Sequence, residues 1–446
     1  MNVLVYGLGR SGRATARLLV KQGHQVSYFD QAPDPGELAE LGALGCRPSE
    51  NPGHAQVDLC IAAPGVPYHH PDLLTLRQRG IETIGEVEWV YRTVAADIVG
   101  VTGTAGKSTV TSWLAAMLQG AGRRAVAGGN IDPALAEVAE EGALLIAELS
   151  SFQLERCPTL KPKVAVLLNV GSDHLDRHGS LAAYREAKRA LLANLTESDT
   201  LVYNLDDPLV RAWAEATKAR RLSYSIRHSA DASLQTDALT LSGRHLLHTR
   251  QLGVVGSHQY SNALAVALVG RALHLTTSQI RAGLEDFTGV PGRYSLAGEV
   301  GGVRFIEDSI ATRTLAVKAA LEATPAPIVW IAGGVDKGAE LDDLLPLVEQ
   351  RVVHFVGVGS SGPALADKLR GITSVTICHQ DDGEAALYCA CSIALEKLTD
   401  HAGGSVLLAP LAASFDQFSD YRERGAAFRR VVKNVEAAQG VAWTRC

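Results

Sequence analysis

The chain has 446 residues, 46% of them hydrophobic and 20% charged, with a formal net charge of −6. That length predicts about two to four domains, each able to bury its own core. The acidic balance and the lack of a basic tract argue against nucleic acid as a partner. No apolar run approaches the roughly 20 residues of a membrane span, and Met1-Asn2-Val3-Leu4 begins a strand rather than a cleaved leader, so a cytoplasmic protein without membrane insertion is expected. Seven scattered cysteines without metal-ligand spacing fit a reduced compartment and no structural zinc.

Val3-Leu4-Val5-Tyr6 reads as a strand running into Gly7-Leu8-Gly9-Arg10-Ser11-Gly12. A helix follows to about Gln22, and a second strand ends at Asp30. Read literally this is G-x-G-x-x-G with an acid about 20 positions on, the dinucleotide fingerprint. The turn serves NAD or a UDP-type diphosphate equally, since both need backbone N–H groups at a helix N-terminus. Asp30 is then a ribose or base acceptor, or an exposed acid at a strand end. Leu59-Cys60-Ile61-Ala62 ends in Ala63-Pro64-Gly65-Val66-Pro67, at the sheet edge where such folds place ligands.

A boundary falls between Tyr91 and Ala96. Beyond it, Ile98-Val99-Gly100-Val101 runs into Gly103-Thr104-Ala105-Gly106-Lys107-Ser108-Thr109, and Val110, Trp113, Leu114, Met117 and Leu118 come after it at helical spacing. Strand, glycine loop and helix suit a nucleoside triphosphate, with Lys107 adding a full positive charge and Ser108 a hydroxyl for Mg²⁺. The strict P-loop pattern needs a glycine at 101 and finds Val101, so this is a shorter variant. Three further apolar runs, at 144–147, 164–168 and 201–203, end near Glu148, near Asp173-His174 and near Asp206-Asp207. Glu148 is the candidate Mg²⁺ ligand, because that ion takes hard oxygen donors. A lone His174 fits a site or a capped turn, and Lys188, on a helical stretch, reads by residue type as a solvated lysine. A third segment from about Pro291 carries strands at 303–306, 328–332, 354–358 and 406–409, the first ending in Glu307-Asp308-Ser309.

Seven motifs stand in order: Gly103 to Thr109, Glu148-Leu-Ser-Ser-Phe-Gln-Leu154, Asn169-Val-x-x-Asp173-His174-x-Asp176, Tyr260-Ser-Asn262-Ala263, Gly289-Val-Pro-Gly-Arg293, Glu307-Asp-Ser309 and Asp416-Gln-Phe418. Together they resemble the Mur ligases of peptidoglycan synthesis, from Gly7 to Phe418. The resemblance implies an α/β fold of three domains: a Rossmann-like UDP-sugar domain (1–93), a P-loop-type central ATPase domain with a mainly parallel sheet (94–290), and a Rossmann-like glutamate-binding domain (291–446). It implies a monomeric amide ligase that uses ATP and Mg²⁺ to add glutamate to UDP-N-acetylmuramoyl-L-alanine through an acyl phosphate and a tetrahedral intermediate. Gly9, Arg10, Ser11, Asp30, Pro64 and Gly65 would hold the UDP-sugar, with Asn130 and His174 toward its muramoyl end. Gly103, Thr104, Ala105, Gly106, Lys107, Ser108, Thr109, Gln259, Asn262, Arg293 and Asp308 would hold ATP. Lys107, Glu148, His174 and Lys188 would be catalytic, and Ser108, Glu148, His174 and Lys188 would lie at the metal. In that family a carbamylated lysine stands at the position of Lys188, against the residue-type reading. Lys337, Ser414 and Tyr421 would meet glutamate.

Four positions depart from the pattern: Ile310 where many relatives have lysine, Gly292 where histidine is common, Ala105 for asparagine, and Ser172 for an acid. Loss of a cation at 310 leaves both D- and L-glutamate open as the amino acid, with Arg313 a substitute cation. A folylpolyglutamate synthase is the alternative within the reaction class, disfavoured by the full nucleotide-sugar domain before the ATP loop. A dehydrogenase rests on Gly7 to Gly12 and Asp30 alone.

Overall fold

The computed structural model describes residues 1–437 apart from 172, 173, 255, 257, 337, 339, 400 and 402. The first sheet is built from β1 (Asn2–Tyr6), β2 (Gln25–Phe29), β3 (Arg47–Pro48), β4 (Leu59–Ala62) and β5 (Glu82–Ile84). Its spatial order is β3-β2-β1-β4-β5, all parallel. β4 and nearly all of β1 are buried on both faces, which is why they read as unbroken apolar runs rather than alternating ones. Strand order reverses at β1, so a crevice opens past the carboxyl ends of β1 and β4. Gly7 to Gly12 turn there, and a Cβ on Gly12 would stand 1.8 Å from the Gly7 carbonyl oxygen, so only glycine lets the helix Arg10–Lys21 pack this close.

The second sheet comprises β6 (Asp97–Thr102), β7 (Ala125–Gly129), β8 (Leu144–Glu148), β9 (Val164–Leu167), β10 (Thr200–Asn204) and β11 (Arg220–Ser225). It continues into β12 (Ala232–Gln235), β13 (Ala238–Leu241) and β14 (Arg244–His248). The order is β14-β13-β12-β11-β10-β9-β6-β8-β7, antiparallel only in the β12-β13-β14 meander. β6 lies between β9 and β8, a second switch point. One apolar core runs under both sheets, from Val3 and Leu19 through Trp89 and Ile98 to Leu145 and Leu191. Both sheets accordingly share one compact unit, Met1–Arg250 with Tyr260–Leu284.

The other compact unit, Gln251–Gln259 with Glu285–Cys446, holds the third sheet. Its strands are β15 (Ser295–Val300), β16 (Val303–Glu307), β17 (Ile328–Ala332), β18 (Val352–Gly357), β19 (Ser374–Ile377) and β20 (Gly404–Leu408), in the order β15-β16-β20-β17-β18-β19. Only β15 is antiparallel to its neighbour. Apolar clusters cover both faces, around Phe305, Val406 and Phe428 on one and Ile306, Trp330 and Phe355 on the other. Among the described residues no helix is long and apolar enough to cross a membrane. The apolar runs expected as strands are all strands, whereas the short meander β12 to β14 was not anticipated.

Candidate active site

β6 delivers the glycine loop to the second switch point. Gly106, at φ +85°, is the left-handed N-cap of the helix Lys107–Gly120, and a Cβ there would come within 2.7 Å of Asn262 Oδ1. This helix has no side-chain cap, while the helices starting at Pro208 and Gly383 are capped by Asp207 and Asp382. Its first-turn N–H groups are therefore left for an oxyanion, and the same holds for Arg10–Lys21 behind Gly9. Lys107 Nζ lies across the loop, 2.9 Å from the Gly103 carbonyl oxygen and 3.0 Å from that of Thr104. Asn169 braces the loop from β9: its Oδ1 accepts from the N–H of Thr104 (3.0 Å) and Ala105 (2.8 Å), and its Nδ2 donates to the Ala105 carbonyl (3.0 Å). The sequence motif contained Asn169 but gave it no role.

Tyr184 and Lys188 sit one turn apart on the helix Leu181–Arg189. The Tyr184 hydroxyl is 2.9 Å from Thr104 Oγ1. Lys188 is only 2% exposed and donates to the Gly103 carbonyl at 2.8 Å, so the reading of a solvated lysine is wrong. Tyr184, Ala187, Lys188 and Leu191 form one buried stripe, and an amine placed in it needs a partner. The loop thus gathers two lysines on one carbonyl, a concentration of positive charge suited to phosphate.

Glu148 ends β8 and is 1% exposed. Its Oε1 accepts from Asn130 Nδ2 at 2.7 Å, while Oε2 is buried with no hydrogen-bond partner. It does not cap the next helix, since Ser150 and Gln153 form the capping box there. An unsatisfied buried carboxylate oxygen costs about 1–3 kcal/mol and marks a place for a cation. Among the described residues no three His, Cys, Asp or Glu side chains converge as a metal cage. Mg²⁺ needs no such cage, because phosphate and water supply most of its ligands, so Ser108 and Glu148 fit it. Lys188, as an amine, does not.

His174 is exposed, with φ of +51°, and its ring lies 4.9 Å from that of Phe152. His178 stacks on the same ring at 5.2 Å. Its Nε2 is 2.9 Å from Ser151 Oγ and its Nδ1 is 3.0 Å from Glu155 Oε1. A Ser-His-Glu relay can activate a nucleophile, but Ser151 is 2% exposed, so the relay fixes the helices rather than attacking a substrate. Burial holds the His178 pKa below the usual histidine range, with Glu155 opposing, and the ring is neutral near pH 7.

The first switch point is a cleft of about 380 Å³ lined by Gly7, Gly9, Arg10, Ser11, Asp30, Pro64, Gly65 and Asn130, among others. The expected UDP-sugar residues meet here, all except His174. Arg10 donates to the Asn130 carbonyl at 3.0 Å and lies 3.6 Å from Asp132. Asp30 holds the glycine turn, accepting from the N–H of Leu8 (2.6 Å) and Ala32 (3.0 Å). Ser11 donates to Glu86, a buried carboxylate that also accepts from the Ala136 N–H at 2.7 Å. Burial raises the Glu86 pKa. Two arginines absent from the sequence reading grip the Ala63-to-Val66 wall. Arg156 donates to the carbonyls of Ala63 (3.3 Å) and Val66 (2.7 Å), and Arg177 to those of Gly65 (2.8 Å), Pro64 (3.1 Å) and Val66 (2.5 Å). Burial, with Arg177 and Arg77 nearby, pushes the Arg156 pKa down to about 10. Such contacts to backbone carbonyls leave no motif; the one hint was the one-turn spacing of Arg177 from His174.

In the other unit, Asp308 is 8% exposed and accepts from the Tyr294 N–H at 3.1 Å. Desolvation pushes its pKa up to about 7, against Tyr294 and Arg293 and with Glu307 adding. It lines a cavity of about 400 Å³ with Tyr294, Ala316 and Glu322. Arg293 is exposed, Gln259 and Ser414 are buried, and Lys337 lies outside the described residues. Tyr421 packs on Gly292, where a Cβ would meet its ring at 3.3 Å. The Ile310 N–H donates to the Gly292 carbonyl at 3.1 Å, so two of the departing positions touch each other.

Residues 101–270 match the family model of the Mur ligase middle domain, and residues 1–85 that of the Mur ligase MurD-like N-terminal domain. The UDP-N-acetylmuramoylalanine–D-glutamate ligase of Thermus thermophilus is 45% identical over 441 residues, covering 99% of each chain. That of Deinococcus radiodurans is 42% identical, covering 98% of this chain and 93% of its own. In fold, the chain is similar to the MurF ligase of Thermotoga maritima solved with ADP (TM-score 0.55, 18% identity, 92% and 95% covered). It is likewise similar to the UDP-N-acetylmuramate–alanine ligase MurC of that organism (TM-score 0.54, 20% identity, 98% and 100% covered). With identity this high over nearly the full length, the chain belongs to the UDP-N-acetylmuramoylalanine–D-glutamate ligases of the Mur ligase family.

Proposed function

We propose that the protein joins D-glutamate to UDP-N-acetylmuramoyl-L-alanine, converting ATP to ADP and phosphate, as a cytoplasmic monomer in peptidoglycan precursor synthesis. The observation that carries this reading is the Asn130–Glu148 pair: Asn130 lines the first switch-point cleft, and Glu148 ends the strand beside the phosphate loop, its Oε2 unpartnered. A nucleotide sugar's carboxylate and a triphosphate would meet at this pair.

In this reading residues 1–93 hold the UDP-sugar, 94–290 the ATP and 291–446 the glutamate. The uncapped turn after Gly9, with Arg10 and Ser11, takes the diphosphate; Asp30 shapes that turn; Pro64 and Gly65 form the opposite wall. Lys107 leaves the Gly103 and Thr104 carbonyls for the β- and γ-phosphates, and the N–H groups of 106–109 cradle them. The substrate carboxylate attacks the γ-phosphorus, ADP departs, and an acyl phosphate forms. The amine of glutamate then attacks the acyl carbon, the tetrahedral oxyanion collapses with loss of phosphate, and the nitrogen sheds its proton to leave the amide. Mg²⁺, held by Ser108 and Glu148, would neutralise phosphate charge. His174 and Asn130 orient the muramoyl carboxylate, and Lys188 would help to hold the metal only once carbamylated. Gln259, Asn262, Arg293 and Asp308 serve the nucleotide, and Lys337, Ser414 and Tyr421 the glutamate.

Lys107→Ala tests the reading. Phosphate release that needs both UDP-N-acetylmuramoyl-L-alanine and glutamate is expected in the parent chain and to fall by roughly 10³-fold in the variant. Near-normal turnover in the variant contradicts it.

A further inference from the structure

We infer that Arg177 is a positioning residue that couples the UDP-sugar cleft to the backbone conformation of His174. The inference rests on the ligase reading above, in which His174 faces the reacting carboxylate.

His174 adopts φ of +51°, a left-handed conformation that is unfavourable for a non-glycine residue and persists only where the surroundings over-determine it. The chain then makes a single helical turn, Leu175–His178, and four residues are far too few to hold a helix alone. The N–H groups of Arg177 and His178 both reach the His174 carbonyl, at 3.1 Å each, so this turn fixes the His174 ψ side. Its own side chains hold the turn in place. His178 is pinned between Ser151 and Glu155. Arg177 spreads its planar fork over three successive carbonyls, Pro64, Gly65 and Val66, while its guanidinium lies 4.9 Å from the centre of the Phe152 ring.

Phe152 is the platform common to both partners, since the His174 ring leans on it at 4.9 Å. Arg177 therefore connects two things directly: the wall of the UDP-sugar cleft and the turn that begins at His174. Arg156 grips the same wall from the other side, but its guanidinium lies over the Tyr68 ring instead of Phe152, so it holds the wall without the link. A ligand that presses on Pro64 or Gly65 shifts carbonyls that Arg177 joins to the His174 turn. Lysine cannot replace it, since one ammonium on a flexible stem does not reproduce the planar fork that donates to three carbonyls.

The test compares Arg177→Ala, Arg177→Lys, His174→Ala and the double variant, with thermal melts to confirm folding. Substituting Arg177 is expected to lower kcat by about 10²-fold, the scale of an ångström-level misplacement, in both the Ala and the Lys variant. His174→Ala should then lose nothing further when Arg177 is also changed. Independently of turnover, the ¹³Cε1 signal of His174 should move when UDP alone is added to the parent chain and stay still in Arg177→Lys. Retained kcat with a raised KM for the UDP-sugar, losses that multiply in the double variant, or a His174 signal that still responds in Arg177→Lys would each overturn the inference. Absence of amide formation in the parent chain would instead overturn the ligase reading, leaving the signal measurement to judge Arg177.

Discussion

Asp308→Asn separates what this carboxylate does for folding from the nucleotide role proposed for it. The Asp308 side chain is buried beside Glu307, which raises its pKa from 3.8 to about 7. For a carboxyl raised on folding, the contribution to stability is full below the unfolded value and is lost as pH rises toward the folded one. Between about pH 4 and pH 7 the native state therefore loses stability with rising pH, and above 7 the loss is constant. A rise from 3.8 to about 7 corresponds to ~4 kcal/mol at 1.36 kcal/mol per tenfold, an upper bound because water reaches partly buried groups. Asparagine keeps an oxygen for the Tyr294 N–H and never ionises, so the variant should gain about 2–4 kcal/mol over the parent at pH 8 and little at pH 4.5. With two compact units the chain is not expected to melt in one step, so urea unfolding should be followed locally, by hydrogen exchange of Val303–Glu307. Under the proposed function, in which Asp308 serves the nucleotide, the same substitution should also impair ATP use. Equal parent stability at pH 5 and pH 8, or a variant less stable at pH 8, would refute the reasoning.

Glu148→Gln keeps an acceptor for Asn130 but removes the charge aimed at a cation. The Mg²⁺ concentration for half-maximal phosphate release should rise about tenfold or more while hydrogen-exchange protection of Leu144–Glu148 holds or increases, and an unchanged Mg²⁺ dependence would deny Glu148 its metal role. Lys188→Ala should slow turnover by about 10²-fold without rescue by added bicarbonate, and unaltered kinetics would leave Lys188 a structural donor to Gly103.

Much of the fold was legible because its strands are parallel and buried on both faces, so that runs such as Val164 to Leu168 stand out against their polar ends. The meander β12 to β14 was not, since its strands are short and partly polar and its turn, at Ser242 and Gly243, uses positive φ angles with a weak sequence signal. The glycine loop before the helix Lys107–Gly120 and the strand-end place of Glu148 could be read from residue type and spacing. Lys188 could not be read that way, yet its place in the stripe with Tyr184, Ala187 and Leu191 was visible at helical spacing. Arg156, Arg177 and Asn169 act through backbone atoms of segments far off in sequence, and only the fold brings those atoms to them.

The most direct test of the central claim is a panel of D- and L-amino acids with UDP-N-acetylmuramoyl-L-alanine, ATP and Mg²⁺, scored by phosphate release and product mass. Phosphate release with D-glutamate and a product heavier by one glutamyl residue are expected, despite Ile310. Turnover with L-glutamate in preference, or phosphate release without a glutamyl product, would contradict it.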